Sequence, residues 1–186
     1  VVMDLVESGE VLSVVVHQLV EFLVTLCENG PKFCRKIKSA VVSEKNYFSS
    51  RLLPFCAQLM CRIGDDSKWD SDDTVESIED EEDFSVGEQS FDRVTHALGV
   101  RSTFTIVLNL LKNLLANNND SWKNRYSGLC VIANYLDVSS RIPDSAQLQQ
   151  HRADVCATLI AYTNDPMPRV RSAAFFGLAK FAHTFS

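Results

Sequence analysis

The stretch that decides the fold runs over residues 165–175 and reads Asp-Pro-Met-Pro-Arg-Val-Arg-Ser-Ala-Ala-Phe. A second stretch over residues 119–129, Asn-Asp-Ser-Trp-Lys-Asn-Arg-Tyr-Ser-Gly-Leu, superposes on it at a shift of 46 residues and pairs Arg125 with Arg171. Each stretch follows a segment with an apolar stripe at helical spacing. Self-similarity at a fixed period of this size indicates an array of similar helical units.

Each residue type in the repeated stretch has a physical reason to be there. An aspartate can end the turn as an N-cap, and a tryptophan or valine then anchors the second helix of the unit. The small residues Gly128 and Ala174 allow close helix packing. The arginine is expected to fix the turn by pairing with a carboxylate, in such units commonly the aspartate of a neighbouring repeat. Structural roles are therefore predicted for Trp122, Arg125, Asp165 and Arg171.

Apolar residues recur at helical spacing along most of the chain, and no alternation of period two competes with them. The clearest stripe consists of Phe104, Val107, Leu108, Leu111, Leu114 and Leu115. We therefore predict an all-α chain. The shift of 46 residues lies within the period of two-helix HEAT-type repeats, so the predicted architecture is an α-α superhelix, a HEAT-repeat solenoid of about 3.5 repeats.

The repeat makes residues 1–186 a single array, and local signals agree with its helix starts. Ser85-x-x-Glu88 has the pattern of a capping box, Asp144 and Ser145 can cap a helix, and Asp165 precedes a proline that a first turn tolerates. Because the chain starts within a helical stretch, we expect a fragment of a longer protein. The parts of the array are the second helix of a partial repeat at 10–29, a repeat at 47–98 with an acidic insertion at 65–84, and repeats at 102–136 and 147–185.

Acidic residues are concentrated in one segment. The formal charge of the chain is −6, yet 11 of its 24 acidic residues lie between Asp65 and Asp83, where Lys68 is the only base. The segment therefore carries −10 and the rest of the chain +4. Like charges repel and few apolar residues are available for burial, so we predict a mobile loop rather than a helix or strand.

We expect this loop to dock a basic partner, with a solvated insertion that only keeps the protein soluble as the alternative. Phosphate would be repelled by it, which argues against direct nucleic-acid binding. The residues assigned to partner binding are Asp70, Asp72, Asp73, Glu76, Glu79, Asp80, Glu81, Glu82 and Asp83.

The residue pattern gives no support for catalysis, a cofactor or a metal site. The four histidines lie on separate predicted helices without a carboxylate at ligand spacing, and neither a Gly-rich phosphate loop nor a nucleophile elbow is present. The six cysteines form no C-x-x-C pair, so we expect reduced, buried thiols rather than zinc ligands. No run of about 18 apolar residues exists, which argues against a membrane span.

Five features occur in order along residues 48–181, and their combined spacing is more specific than any one of them. They are Leu53-Pro54, an acidic insertion opening near Trp69, Val86-Gly87-Glu88-x-x-Phe91-Asp92-Arg93 with Ala97-Leu98-Gly99, Trp122-Lys123-x-Arg125-x-x-Gly128-Leu129, and Asp165-Pro166-x-Pro168-Arg169-Val170-Arg171-x-Ala173-Ala174. With these features the chain resembles the karyopherin-β (importin-β) nuclear transport receptors, most closely the importin-five branch that imports ribosomal proteins and histones.

The resemblance implies the middle portion of a monomeric receptor that shuttles between cytoplasm and nucleus through the nuclear pore. Such a receptor binds lysine-rich cargo, such as ribosomal proteins and histones, on its concave face. The GTPase Ran in its GTP form releases the cargo, and phenylalanine-glycine nucleoporins touch the convex helices. The acidic insertion looks like the acidic loop of the family, which contributes to Ran or cargo contact.

Side-chain direction on the last helix selects candidates for the concave face. The core stripe of this helix consists of Val170, Ala174, Gly177, Leu178 and Phe181, so residues on the opposite face point the other way. The shift of 46 gives their counterparts on the preceding second helix, and further candidates come from the second helix before that one. The candidates are Glu88, Asp92, His96, Tyr126, Asn134, Ser172, Phe176 and Lys180. Since repeat features alone name no partner, the alternative function is a HEAT-repeat scaffold subunit of another assembly, such as a phosphatase or chromosome-organising complex.

Overall fold

The computed structural model describes residues 13–36, 47–64, 82–116, 121–141 and 146–185. Within these ranges every regular element is a helix, as the apolar stripes predict. The helices are α1 (Ser13–Asn29), α2 (Pro31–Cys34), α3 (Tyr47–Met60), α4 (Glu82–Leu98), α5 (Val100–Leu114), α6 (Trp122–Ser140), α7 (Ala146–Gln150), α8 (Arg152–Tyr162) and α9 (Pro168–Thr184).

The helices pack in two layers. In the second-helix layer α1, α4, α6 and α9 lie side by side, each against the next, and in the first-helix layer α3 lies against α5. Each pair also packs internally, α3 on α4, α5 on α6 and α8 on α9. The main contacts thus join only the same or neighbouring repeats, which is the arrangement of a helix-pair solenoid. The prediction of an all-α superhelix is confirmed.

Helix α6 is buried on two sides and joins two apolar clusters. Val131 and Tyr135 pack into the cluster formed mainly by α1, α3, α4 and α5, whereas Leu129 and Leu136 pack with α8 and α9 in the other. An element that buries two faces lacks the single apolar stripe of a surface helix. Helix α6 therefore places the candidate residues of the middle repeat between those on α4 and those on α9.

Gly87 allows α3 and α4 to approach closely. A Cβ atom at this position would lie 2.5 Å from the backbone oxygen of Cys56 and 2.9 Å from the Cβ of Leu59. Only a residue without a side chain fits at that distance. The glycine thus sets the spacing within the repeat that carries Glu88 one residue later.

Gly99 is the single residue between α4 and α5, and its φ of +82° lies in the region that favours glycine. Its N–H donates to the Thr95 oxygen at 2.9 Å, and the Ser102 hydroxyl donates to the Gly99 oxygen at 2.9 Å. This turn fixes the change of direction from the second helix of one repeat to the first helix of the next.

Two of the predicted helix starts are wrong. Ser85 does not cap a helix, because α4 begins at Glu82, where acids in the first turn interact favourably with the helix dipole. Asp165 is not the N-cap of α9, which is Met167, but its carboxylate accepts the N–H of Met167 at 2.9 Å. Asp144 and Ser145 lie outside the described residues.

The first helix of the last repeat is divided into α7 and α8, where a single helix was expected. The break falls at His151, whose backbone leaves the helical conformation at φ −100° and ψ 7°. The short helix α2 was not predicted either. No helix within the described ranges is long and apolar enough to cross a membrane.

Candidate partner-binding surface

The second helices run parallel to one another. Near the start of α4, Asp83 contacts His17 near the start of α1, and near its end Arg93 contacts Glu28 at the end of α1. Phe84 near the start of α4 contacts Tyr126 near the start of α6, and Glu88 contacts Asn134 further along both helices. In the same order, Arg169 and Lys180 of α9 contact Tyr126 and Asp137 of α6. We call the exposed and half-buried side chains of α4, α6 and α9 that face away from the first helices the second-helix surface.

Glu88 is a half-buried carboxylate on this surface. Its Oε1 accepts a hydrogen bond from the Asn134 amide of α6 at 3.5 Å. Burial raises the pKa of Glu88, the Asn134 hydrogen bond opposes that rise, and the charge of Asp92 adds to it. In the described part of the chain no basic side chain forms an ion pair with Glu88, so its negative charge has no counter-ion there.

The two other candidates on α4 differ in exposure. Asp92 is half-buried and lies one turn beyond Glu88 on the same helix face, whereas His96 is exposed in the last turn. Glu88, Asp92 and Asn134 are therefore brought together, and His96 lies at the end of the row. The result is a local acidic site between α4 and α6.

Tyr126 lies at the centre of an aromatic group that joins three second helices. Its ring centroid is 5.5 Å from that of Phe84 on α4 and 6.4 Å from that of Trp122. The guanidinium of Arg169 on α9 lies 5.2 Å from the Tyr126 ring. Burial raises the pKa of the Tyr126 hydroxyl. Trp122 itself is half-buried and packs against the apolar cluster of α6, α8 and α9.

Lys180 is held by its neighbours on α6 and α9. Its ammonium group contacts the Asp137 carboxylate and lies 5.4 Å from the centre of the Phe176 ring. The hydrogen bond from Lys180 lowers the pKa of Asp137, which also pairs with Arg141. Phe176 is 55% exposed. The pairing with Asp137 satisfies the charge of Lys180 and leaves Phe176 as an apolar contact on this part of the surface.

Ser172 is exposed on α9, and no contact brings it together with the other candidates. Two charged residues that were not among the predicted candidates, Asp137 and Arg169, also contribute to the surface. The repeat carries a signal for both, since the shift of 46 relates Asp137 to His183 and Arg169 to Lys123. Their partners lie on a neighbouring helix, however, which the sequence does not indicate.

The end of the acidic segment is ordered, which corrects the predicted loop boundary. Glu82 and Asp83 form the first turn of α4, and the other seven predicted partner-binding acids lie outside the described residues. Asp83 accepts hydrogen bonds from Ser13 at 3.0 Å and Arg62 at 3.2 Å and contacts His17. Burial alone would raise the pKa of Asp83, but hydrogen bonds from His17, Ser13 and Arg62 lower it by a larger amount. The net effect is a pKa below the ordinary value.

Because these contacts occupy the Asp83 carboxylate, Asp83 has a structural role and is less available to a binding partner. Its side chain is 19% exposed, whereas Glu82, 3.6 Å from the Nδ1 of His17, is 68% exposed. The physical reason for the correction is that hydrogen bonds from Ser13 and His17 on α1 and the positive charge of Arg62, two residues after the end of α3, offset the repulsion among the acids. Glu82 therefore remains accessible and Asp83 does not.

Arg93 joins α1 to α4 through two carboxylates one heptad apart. Its guanidinium donates to Glu21 at 2.7 and 3.0 Å and to Glu28 at 2.8 Å from both Nε and Nη2. Hydrogen bonds from Arg93 lower the pKa of both glutamates. Sequence reasoning placed Arg93 in a family pattern without assigning this contact, which requires the packing of α1 on α4.

Arg125 and Asp165 join neighbouring repeats. The Arg125 Nε lies 2.7 Å from one Asp165 oxygen and its Nη2 lies 3.0 Å from the other, a bidentate ion pair. Arg171 donates to the backbone oxygens of Asp165 at 2.9 Å and Pro166 at 3.0 Å. Asp165 and Pro166 lie in the turn before α9, whereas Arg125 lies on α6 and Arg171 on α9 itself. The turn is thus fixed from both the preceding repeat and its own helix.

On the opposite side of the molecule, an apolar cleft lies between α5 and the α7–α8 break. It is a groove of about 400 Å³, a volume that includes space open to solvent. The Tyr135 hydroxyl donates to the Val100 oxygen at 2.7 Å and so offers no unsatisfied donor to the cleft. Phe104 contacts His151 at a centroid distance of 5.3 Å. The lining residues are Phe104, Val107, Leu108, Leu111, Ile132, Tyr135, Leu136, Leu148, His151 and Val155.

Neither the histidines nor the cysteines form a chemical centre in the described part of the chain. No group of three His, Cys, Asp or Glu side chains there could hold a metal ion. The six cysteines are free thiols, and burial raises the pKa of Cys56 and of Cys130 to about 12. Thiols with such values are poor nucleophiles at neutral pH. The arrangement offers surfaces for binding.

A comparison with known proteins identifies the repeat. The family model of the importin repeat matches residues 8–105, more than half of the chain. The structure of Kap121p bound to Nup53p superposes on the chain with a TM-score of 0.81 at 18% identity. A Kap121p mutant with two aspartates and one glutamate replaced by lysine superposes with a TM-score of 0.81 at 17% identity.

Both superpositions cover 100% of this chain but only 17% of Kap121p, so the chain spans about a sixth of the length of these structures. At this level of identity the likeness shows the fold, a HEAT-repeat solenoid of stacked helix pairs. The importin repeat model covers the acidic segment, the Gly87 contact and the turn at Gly99. By this match the chain belongs to the importin repeat family.

Proposed function

We propose that the chain is the middle part of a nuclear import receptor of the karyopherin type. In this proposal the second-helix surface binds lysine-rich segments of cargo such as ribosomal proteins and histones. GTP-bound Ran releases the cargo, phenylalanine-glycine nucleoporins bind the first-helix side, and the receptor shuttles between cytoplasm and nucleus. Membership of the importin repeat family supports this class of function over a scaffold in another assembly.

The observation that carries the proposal is the unpaired, half-buried carboxylate of Glu88. A partly desolvated carboxylate without a counter-ion is unfavourable, as the raised pKa indicates. An incoming lysine ammonium would supply the missing charge and a hydrogen bond. Asp92 lies beside it and adds attraction, whereas Lys180 is already paired with Asp137. The site thus selects basic segments near α4 and α6.

The first prediction tests this site with Glu88→Gln in the full-length protein. The substitution keeps the shape and removes the charge, so the Kd for a labelled lysine-rich peptide should rise about tenfold, equivalent to about 1.4 kcal/mol. Fluorescence anisotropy measures the change. Binding of the unsubstituted protein should weaken with added salt, and GTP-locked Ran should release the bound peptide.

The matched control is Asp154→Asn, which removes one negative charge from a side chain that is 83% exposed on α8. This variant should leave the Kd within about twofold of the unsubstituted value. Equal effects of the two substitutions would show that only net charge affects binding, and would contradict the assignment of the binding site to Glu88. Failure of GTP-locked Ran to release the peptide would exclude the receptor function while leaving the basic-segment site intact.

The apolar cleft supports the nucleoporin part of the proposal. It lies between first helices of neighbouring repeats and is lined by aliphatic and aromatic side chains, which suit an isolated phenylalanine. Kap121p, which shares this fold, was solved bound to Nup53p. We assign the phenylalanine of a phenylalanine-glycine repeat to the cleft, with the Phe104 ring as its aromatic neighbour.

A second prediction follows for Leu108→Asp, which places a carboxylate in the cleft wall. Binding of a phenylalanine-glycine repeat peptide to the full-length protein should fall about tenfold, because the ring would then contact a charged group. Ile160→Asp is the control, since Ile160 is 54% exposed on α8 and does not line the cleft. Equal binding by both variants, or equal binding of a serine-glycine peptide to the unsubstituted protein, would contradict the assignment.

A further inference from the structure

A basic patch lies at the end of α1, around the short helix α2. Lys32, Arg35 and Lys36 are exposed, and no carboxylate in the described part of the chain pairs with any of them. Phe33 lies among them and is 61% exposed, while its neighbour Cys34 is buried and anchors the helix. Three cations around an exposed aromatic ring, without a carboxylate partner among the described residues, are unexpected in a chain with a formal charge of −6.

The parallel second helices place this patch at the edge where repeats connect. The C-terminal ends of α1 and α4 lie at the same edge, because Arg93 near the end of α4 contacts Glu28 at the end of α1. Arg101, exposed in the first turn of α5, follows the end of α4 and adds a further cation to that edge. We call Lys32, Phe33, Arg35, Lys36 and Arg101 the basic edge.

The acidic segment is attached to the opposite edge. Its described flanks adjoin Arg62 and Asp83, which contact each other and the start of α1. Helix α1 has 17 residues, so about 25 Å of helix separates the two edges. This is well beyond the Debye length of about 8 Å at physiological salt. The basic edge is therefore not neutralised where the acidic segment joins the fold.

We propose that the basic edge is a second docking surface, which binds an acidic polypeptide segment carrying an exposed apolar side chain. Charge complementarity with the unpaired cations selects the acidic residues, and Phe33 supplies an apolar contact for the partner's side chain.

A polypeptide fits this surface better than a nucleic acid. Four cations would neutralise few phosphates, and nonspecific binding through so few contacts is weak at physiological salt. Single-stranded nucleic acid is usually held by several stacking rings along a positive groove, whereas Phe33 is one ring on a projecting turn. The surface is also separate from Glu88, whose charge favours basic partners.

The test uses the full-length protein and a short labelled peptide in which glutamate alternates with serine around one central phenylalanine. Arg35→Glu should raise the Kd for this peptide about fivefold or more, and Phe33→Ser about threefold. Lys112→Glu is the matched control, because it reverses one exposed charge on α5 away from the edge and should change the Kd by less than about twofold. Circular dichroism melting curves confirm that each variant is folded.

Four outcomes would overturn the proposal. The first is absence of binding by the unsubstituted protein, and the second is equal weakening by Arg35→Glu and Lys112→Glu. The third is equally tight binding of oligouridine with the same number of charges, which would identify a general anion surface. If deletion of residues 65–81 is required before the peptide binds, the occupant is the chain's own acidic segment and the proposed partner is wrong. Binding of the lysine-rich peptide should be unaffected by Arg35→Glu, which separates this test from that of the proposed function.

Discussion

Replacing Asp165 with alanine is expected to lower the free energy of unfolding of this chain by about 3 kcal/mol. The Asp165 side chain is 5% exposed and accepts two hydrogen bonds from Arg125 and one from the N–H of Met167. Its removal takes from the guanidinium of Arg125, 16% exposed, the carboxylate with which it forms a bidentate ion pair. The expected fall in Tm is about 6–12 °C, measured by differential scanning calorimetry.

Asp154→Ala is the control for this substitution. The Asp154 carboxylate is 83% exposed, and its only ion pair in the described part of the chain is with His151 at 3.6 Å. It should change the stability by less than about 0.5 kcal/mol. A double-mutant cycle with Arg125→Ala should show coupling of about 1 kcal/mol or more between the two partners. Additive effects would mean that the ion pair contributes little beyond the separate packing of each side chain.

The same ion pair should make stability depend on pH in the acid range. Burial raises the pKa of Asp165, but hydrogen bonds from Arg125 and the Met167 N–H lower it more, so the folded-state pKa lies below its ordinary value of 3.8. A carboxylate with a depressed pKa stabilises the fold above the unfolded pKa, and this contribution is lost as pH falls through the folded pKa. The stability difference between the unsubstituted chain and Asp165→Ala should therefore shrink below about pH 4.

The helical class and the stacking of pairs follow from local and periodic information. Apolar spacing along α5 predicts a helix with one buried face, and the repeated stretch predicts a second unit with the same turn. The Arg125–Asp165 pair lies 40 residues apart in the chain and between the repeats that the shift of 46 relates. Periodicity makes such a long-range contact foreseeable, because equivalent residues recur at equivalent places in neighbouring units.

The start of α4 could not be predicted in the same way. Counting charges between Asp65 and Asp83 treats the acids as neighbours of one another only. In the folded chain Asp83 contacts His17, 66 residues earlier, and Arg62, 21 residues earlier, so its charge is offset. His17 lies on α1 and Arg62 lies just after α3, and neither shows a periodic relation to the acids. The local pattern therefore extended the predicted loop too far.

The second-helix surface shows where periodicity loses precision. The shift of 46 makes Glu88, Asn134 and Lys180 equivalent positions on successive second helices. Glu88 and Asn134 do meet, but Lys180 pairs with Asp137, one turn further along α6. Equivalent backbone positions do not determine which side chains touch, because the reach of each side chain and the stagger of the helices decide it. A charge that looks available in the sequence can thus be satisfied in the fold.

The cleft was not foreseeable from the sequence because no single element forms it. Its walls come from α5, α6, α7 and α8, and His151, the residue between α7 and α8, is part of its lining. The stretch 148–154 is mostly polar, but it contains no proline or glycine that would predict an interrupted helix there. An apolar stripe predicts that a helix face is buried, whereas a cleft arises where neighbouring faces fail to meet.

Replacing Gly87 with alanine is the other substitution with a large expected effect. The new Cβ would lie 2.5 Å from the Cys56 oxygen, 2.9 Å from the Leu59 Cβ and 3.0 Å from the Met60 Cγ. The first two of these atoms cannot move without displacing the backbone of α3. Overpacking of this kind costs about 1–3 kcal/mol or more, against about 1 kcal/mol gained from helix propensity. We expect a net loss of about 2 kcal/mol in the free energy of unfolding, measured by urea denaturation.

Gly177→Ala separates this steric effect from a general effect of removing a glycine from a second helix. Its new Cβ would also lie 2.5 Å from a neighbouring atom, but that atom is the terminal Cδ2 of Leu159, which can rotate away. The propensity gain then offsets most of the cost, so the stability should change by less than about 1 kcal/mol. A similar loss in both variants would show that the α3–α4 spacing is not fixed by Gly87. A loss confined to Gly87→Ala, together with weaker binding of the lysine-rich peptide, would show that the spacing within this repeat also positions Glu88.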